Sequence, residues 1–140
     1  YCLTKDKLRM LIEKNKIKME MIFETYKKDL NNLEEISDVV DIYFDNNFIY
    51  NRSEKFSKEF DDQYIDFKER ISNISEWTRE NIQKNLEEFL QEKNLKFPIL
   101  GKPIRFLMIN SYNGPSISDI FVILGKKDTI DRLNQYIEKN

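Results

Sequence analysis

Between Lys102 and Gly125 the sequence KPIRFLMINSYNGPSISDIFVILG sets an arginine, a Gly114-Pro115 break and two apolar stripes close together. Arg105 is the side chain there with the most specific chemistry. Its guanidinium holds five donors in one plane, a geometry suited to carbonyl acceptors that share a plane. Around it, residues 96–127 carry Lys96, Lys102, Arg105, Lys126 and Lys127 against Asp119 alone. That local charge of +4 sits in a chain of net −2, so the other residues sum to −6. Such asymmetry suits a domain that meets a nucleic acid at one end. The same lysines would also complement helix dipoles or solvate a surface. By residue type alone, Arg105 reads as a surface arginine paired with a carboxylate, Gly114-Pro115 as a helix–helix turn and Ile117 as core.

The remaining side chains exclude most reaction chemistry. There is no histidine, which removes the commonest general base, the serine and cysteine triads and most zinc sites. The glycines at 101, 114 and 125 are too far apart for a phosphate-cradling loop. The carboxylate pairs Glu34-Glu35, Asp61-Asp62 and Glu87-Glu88 are adjacent in sequence and diverge around a helix, so they read as solvated faces. No catalytic and no metal-binding residue is expected. Cys2 stands alone, which allows no internal disulfide and fits a reducing compartment. No run approaches a membrane span, and no signal peptide opens the chain.

The elements that would position Arg105 are helices. Three glycines and three prolines supply little turn chemistry for an all-β fold. Pro103 is expected in a first helical turn, where a missing N–H loses no bond, with Arg105 on the same opening turn. Ile104, Leu107 and Met108 would face the core. Ile117, Ile120, Phe121 and Leu124 form the next stripe, ending at Gly125 as a C-cap. Two helix N-termini would then lie near each other, one bearing the guanidinium. FPIL (97–100) is expected to be extended, because the residue before proline avoids the α region.

Upstream, Thr4 caps a helix holding Leu8, Leu11 and Ile12, and a second helix runs from about Ile17 to Tyr26. Asn32 and Glu35 form a capping box before Ile36, Val39, Val40 and Tyr43. Residues 45–53 read as a polar loop with two apolar anchors. Phe60, Tyr64, Phe67 and Ile71 make a helical stripe. Thr78 caps the next helix, with Trp77 and Ile82 placed for a hydrophobic staple. The expected fold is all-α, divided into helical subdomains 1–73 and 74–140.

The order of these blocks resembles the C-terminal anticodon-binding region of bacterial-type glutamyl-tRNA synthetases. PIR (Pro103 to Arg105), GP (Gly114, Pro115), ILGK (Ile123 to Lys126) and DRL (Asp131 to Leu133) follow that family's order and spacing, and EWTRENI (Glu76 to Ile82) matches a helix start upstream. Before residue 75 the likeness shrinks to NNLEEI and Tyr43-Phe44. Where the family shows a small residue and then Leu-Thr-Gly, this chain has Leu107 to Asn110; asparagine visits the left-handed region more readily than most residues.

The resemblance implies a helical bundle that reads the anticodon of tRNA-Glu for a glutamate–tRNA ligase. Arg105 would contact the central anticodon base, Gly114 and Pro115 would line the same pocket, and Ile117 would touch a neighbouring base. From its place in the turn before Gly114, Tyr112 is a further candidate RNA contact, and Lys96, Lys102, Lys126 and Lys127 would meet phosphates. An arginine that discriminating members use would fall on Asp29, or on Lys28 if the alignment slips by one residue. ATP and Mg would belong to a catalytic domain before Tyr1, whose HIGH and KMSKS motifs are absent, so no cofactor is expected in this piece. The expected setting is cytoplasmic and monomeric, without DNA or membrane. A helical protein-interaction module that touches no RNA, or an enzyme that also charges tRNA-Gln, remains open at this point.

Overall fold

With so few glycines and prolines, the chain must end its helices by other means, and asparagine supplies two of the stops. The computed structural model describes residues 5–27 and 33–139. They form α1 (Lys5–Tyr26), α2 (Leu33–Phe44), α3 (Lys58–Ser72), α4 (Arg79–Glu92), α5 (Phe97–Ile109) and α6 (Ile117–Lys139). Among the described residues there is no strand, so the all-α expectation holds. No described helix is long and apolar enough to cross a membrane.

The compact units are Tyr1–Phe44 and Asp45–Asn140, whereas the sequence suggests a division near residue 73. Residues 45–73 belong with the C-terminal helices because α3 is bonded into them. The Tyr64 hydroxyl donates to the Leu133 carbonyl, and Arg70 reaches Asn85, Glu88 and Glu92 of α4. In the first unit α1 is one continuous helix through residues 13–16, where two helices were expected; EKNK holds neither glycine nor proline to break it. Ile22 is fully buried there, and the Tyr26 and Tyr43 hydroxyls meet at 2.8 Å. The expected caps Thr4 and Asn32 lie outside the described residues.

In the second unit the periodic stripes behave as their spacing demands. Phe60, Tyr64, Phe67 and Ile71 of α3 are all buried. The Phe60 and Tyr64 rings join Phe56 and Tyr136 in one aromatic cluster, with Phe56–Phe60 at 5.3 Å and Tyr64–Tyr136 at 4.9 Å between centroids, while Phe67 meets Phe89 of α4 at 5.4 Å. Ser57 caps α3 by accepting from the Phe60 amide at 3.1 Å. Thr78 caps α4 as expected, accepting from Asn81 at 3.2 Å. At the other end of α4, Asn94 takes φ 54°. The Leu95 amide then returns to the Leu90 carbonyl and the Asn94 amide to Gln91, the 6→1 and 5→2 bonds of a Schellman stop.

Two expectations near Arg105 are overturned. FPIL is helical, not extended: α5 begins at Phe97, and Pro98 occupies the first turn. Phe97 precedes a proline, yet it sits at the first helical position, beside the extended Lys96 (ψ 143°). Pro103, expected to open a helix, is consequently buried in the interior of α5. Arg105 thus lies toward the C-terminal end of α5, so the C-terminus of one helix meets the N-terminus of the next.

Helix α6 is two helical segments joined at Gly125 (φ 83°, ψ 161°). In the turn before this break the Phe121 carbonyl accepts from the Trp77 indole at 2.8 Å and from the Thr129 hydroxyl at 3.4 Å. Trp77 also stacks on the Phe121 ring, 6.0 Å away and 15° from parallel. The main contact of Trp77 is therefore across to α6, fastening the start of α4 there.

Candidate functional site

The turn between α5 and α6 is built around Arg105. Helix α5 ends at Asn110, which takes the left-handed conformation (φ 59°, ψ 33°) and returns its amide to the Phe106 carbonyl at 2.8 Å. That is the conformation which asparagine tolerates and most residues do not. The chain then runs through Ser111 to Pro115, and Ser116 caps α6 by accepting from the Asp119 amide at 3.2 Å. Gly114 has φ 149°, and a side chain there would come within 3.1 Å of Ile109 Cδ1 and 3.7 Å of Arg105 Cδ. Both the backbone angle and the crowding favour glycine.

Arg105 is half-buried and points past the end of its own helix. Its Nε donates to the Pro115 carbonyl and its Nη1 to the Tyr112 carbonyl, each at 3.0 Å. A cation near a helix C-terminus also complements the dipole. Two of its donors thus serve backbone carbonyls. One planar fork therefore gathers both limbs of the turn, which a lysine with its single ammonium would do less well.

Tyr112 is half-buried. Its ring lies against Phe106 with centroids 4.6 Å apart and 31° from parallel, and its hydroxyl donates to Glu54. Glu54 belongs to the 45–57 loop, which reaches the turn a second time where the Asn51 amide donates to Asn110 Oδ1 at 2.7 Å. That loop is held from behind by the buried Arg132, whose Nη1 donates to the Met108 carbonyl and Nη2 to the Asp45 carbonyl at 3.2 Å. The Arg132 guanidinium also lies 4.1 Å over the Phe48 ring. Phe48 and Tyr50 are buried loop residues, while Ile49 is exposed.

The other expected site residues are dispersed. Ile117 is 1% exposed, so its side chain belongs to the core and has no surface to offer a base; the first turn of α6 turns that position inward. Lys126 is half-buried and donates to the Ile74 carbonyl at 2.7 Å, a structural task in place of a phosphate contact. Lys127 pairs with Asp131 at 2.8 Å, and Asp119 with Arg79 at 3.0 Å. Lys96 and Lys102 are exposed. Lys28 and Asp29 lie outside the described residues. The carboxylate pairs are more engaged than solvated faces: Glu88 pairs with Arg70 at 2.8 Å, and Asp61 accepts from the Tyr136 hydroxyl. Among the described residues no group of three or more acidic or thiol side chains could hold a metal.

Glu54, Phe106 and Arg132 complete this site; the sequence singled out neither Glu54 nor Phe106, and Arg132 stood only inside the DRL block, with no role attached to it. Glu54 acts across 58 residues, beyond the reach of any local pattern. Arg132 could have been found as a charge set between Thr129, Leu133 and Tyr136 on the inward face of the last helix.

The Tyr112–Glu54 contact has a titration consequence. Burial first, then the hydrogen bond and negative charge of Glu54, push the phenol from 10.0 up to about 12. The folded state thus favours the neutral phenol, and its contribution to stability is whole below pH 10 and is lost as pH rises through about 12. In an ultraviolet difference titration Tyr112→Phe should delete a late-ionising phenol. Glu54→Gln should return that phenol toward its ordinary range, and an unmoved titration in Glu54→Gln would refute the assignment.

Residues 4–137 match the family model described as the anticodon binding domain. A glutamate–tRNA ligase of Mycoplasma mycoides is 30% identical over 112 residues, covering 78% of this chain and 23% of the relative. That of Blochmanniella floridana is 32% identical over 72 residues, 51% of this chain and 15% of the relative. The chain thus spans about a quarter or less of these curated relatives' length. A solved glutamate–tRNA ligase from Elizabethkingia meningosepticum, in complex with its amino acid, superposes with a TM-score of 0.61 at 16% identity, covering 94% of this chain and 30% of that one. This last likeness concerns the fold alone. With the family model matched along nearly its whole length, the chain belongs to the anticodon-binding domain family.

Proposed function

We propose that this chain reads the anticodon loop of tRNA-Glu as the C-terminal part of a glutamate–tRNA ligase. The observation that carries the reading is the family match over residues 4–137, joined to a turn organised by Arg105, with the exposed Lys102 three residues before it in α5. An anticodon offers unpaired bases whose edges can be read and whose faces can be stacked. Arg105 serves that reading by fixing the Tyr112–Pro115 backbone and by bringing a planar cation to the floor of the turn. Gly114 and Pro115 supply the backbone surface, and Lys96, Lys102 and Lys127 attract phosphate.

On this reading a catalytic part outside the sequence uses ATP together with Mg, and the chain alone attaches no glutamate. It works as a monomer in the cytoplasm, without DNA or membrane. Titration with an anticodon stem-loop bearing the glutamate anticodon, at two salt concentrations, tests this. Affinity should fall as salt rises, with a slope tracking the phosphates neutralised. Arg105→Ala should weaken binding by about 1–3 kcal/mol, because the Tyr112–Pro115 backbone loses the charged hydrogen bonds that fix it. Arg105→Lys should recover the salt slope but little of that loss. Binding equal to that of an unrelated stem-loop would overturn the assignment, and equal binding of a glutamine anticodon would widen it to tRNA-Gln.

A further inference from the structure

We propose that Tyr112 is a prebuilt stacking platform for one unpaired nucleobase of the bound RNA, an inference that rests on the RNA-reading function above. Three contacts hold the residue from three directions. Its ring backs onto Phe106 at 4.6 Å, its hydroxyl donates to Glu54 and its carbonyl accepts from Arg105. Phe106 is itself buried and braced edge-on by Tyr50 and Phe56, with centroids 6.4 and 6.2 Å away. The half-buried ring therefore rests on the aromatic core and cannot swing inward. A side chain with few torsions, already fixed on its inner face and at its tip, loses little further entropy when a flat ligand settles on the remaining face.

The chemistry of that face selects a base over a phosphate. The Glu54 carboxylate at the edge of the ring disfavours a second negative charge there, while an uncharged base gains stacking on the ring. Such stacking tolerates any base identity, because every base has a π-face. Tyr112 would thus hold a base flat, and the backbone of the neighbouring turn would read its edge.

The test places 2-aminopurine at each loop position of the stem-loop in turn and titrates each RNA with the full chain. One position should be quenched on binding to the parent protein, because the fluorophore stacks on a phenol. Tyr112→Leu should abolish that quench and weaken binding roughly ten-fold, whereas Tyr112→Phe should keep the quench and bind within about three-fold of the parent. Binding without quench at any position of the parent protein would overturn the proposal, whether or not Tyr112→Leu folds. So would a Tyr112→Phe variant that loses as much as Tyr112→Leu, since the hydroxyl rather than the ring would then matter. If the parent protein binds none of the RNAs above background, the RNA-reading function itself fails, an outcome distinct from both of these.

Discussion

Phe121→Ala should lower the unfolding free energy by about 3–5 kcal/mol, the usual loss for a phenylalanine truncated in a packed core. Phe121 is fully buried. Its ring is the surface on which Trp77 stacks, and its carbonyl is the acceptor for the Trp77 indole. Truncation empties the volume beneath the indole and loosens the junction of α4 with α6. Because Trp77 is the sole tryptophan, its emission gives a second readout: a red shift in the native state at low denaturant. Urea unfolding monitored by circular dichroism should show the lower midpoint. A loss under about 1 kcal/mol would place Phe121 outside the packed core, contrary to its burial.

Arg132→Met should cost about 2–4 kcal/mol although the side-chain volume is nearly kept, because the loss lies in hydrogen bonding rather than in packing. The guanidinium serves the carbonyls of Met108 and Asp45, and methionine leaves both without that donor in a buried setting. It also removes the cation from the face of Phe48. Arg132→Lys should fall between the two, since one ammonium cannot span two carbonyls and a ring. Thermal unfolding of the three proteins orders them. If Arg132→Met matched the parent, the buried arginine would be dispensable and the 45–57 loop would owe its position to its other contacts, those of Phe48, Tyr50, Asn51 and Glu54. Since that loop supplies Glu54 to Tyr112 and Asn51 to Asn110, the Met variant should also weaken RNA binding under conditions where it remains folded.

Local rules made parts of the fold legible. The α3 stripe, the Thr78 cap and the glycine at 125 all act within one or two helical turns, so spacing alone identifies them. The left-handed Asn110 followed from the family likeness, which places a glycine there. Errors arose where two local rules competed. Pro98 and Pro103 could each open a helix, and the choice between them was made by packing: Pro103 and Ile104 are both buried inside α5. Moving that start reversed the polarity of the helix end that carries Arg105, so its partners became carbonyls beyond a C-terminus.

The site was legible in outline only. Arg105, Gly114, Pro115 and Tyr112 do converge in one turn, but their braces come from Glu54, Asn51 and Arg132, far away in sequence. Ile117 shows the opposite case, where apolar periodicity correctly indicated core and the family likeness assigned it to a ligand.

Across a trans peptide the oxygen and the amide hydrogen point in opposite directions, and the described peptide bonds are all trans. Drawing the Pro115 oxygen onto Arg105 Nε therefore turns the Ser116 hydrogen the other way. The guanidinium fixes more than the course of the chain: it decides which side of that link shows an acceptor and which shows a donor. Without the fork, the plane could rotate and exchange the two.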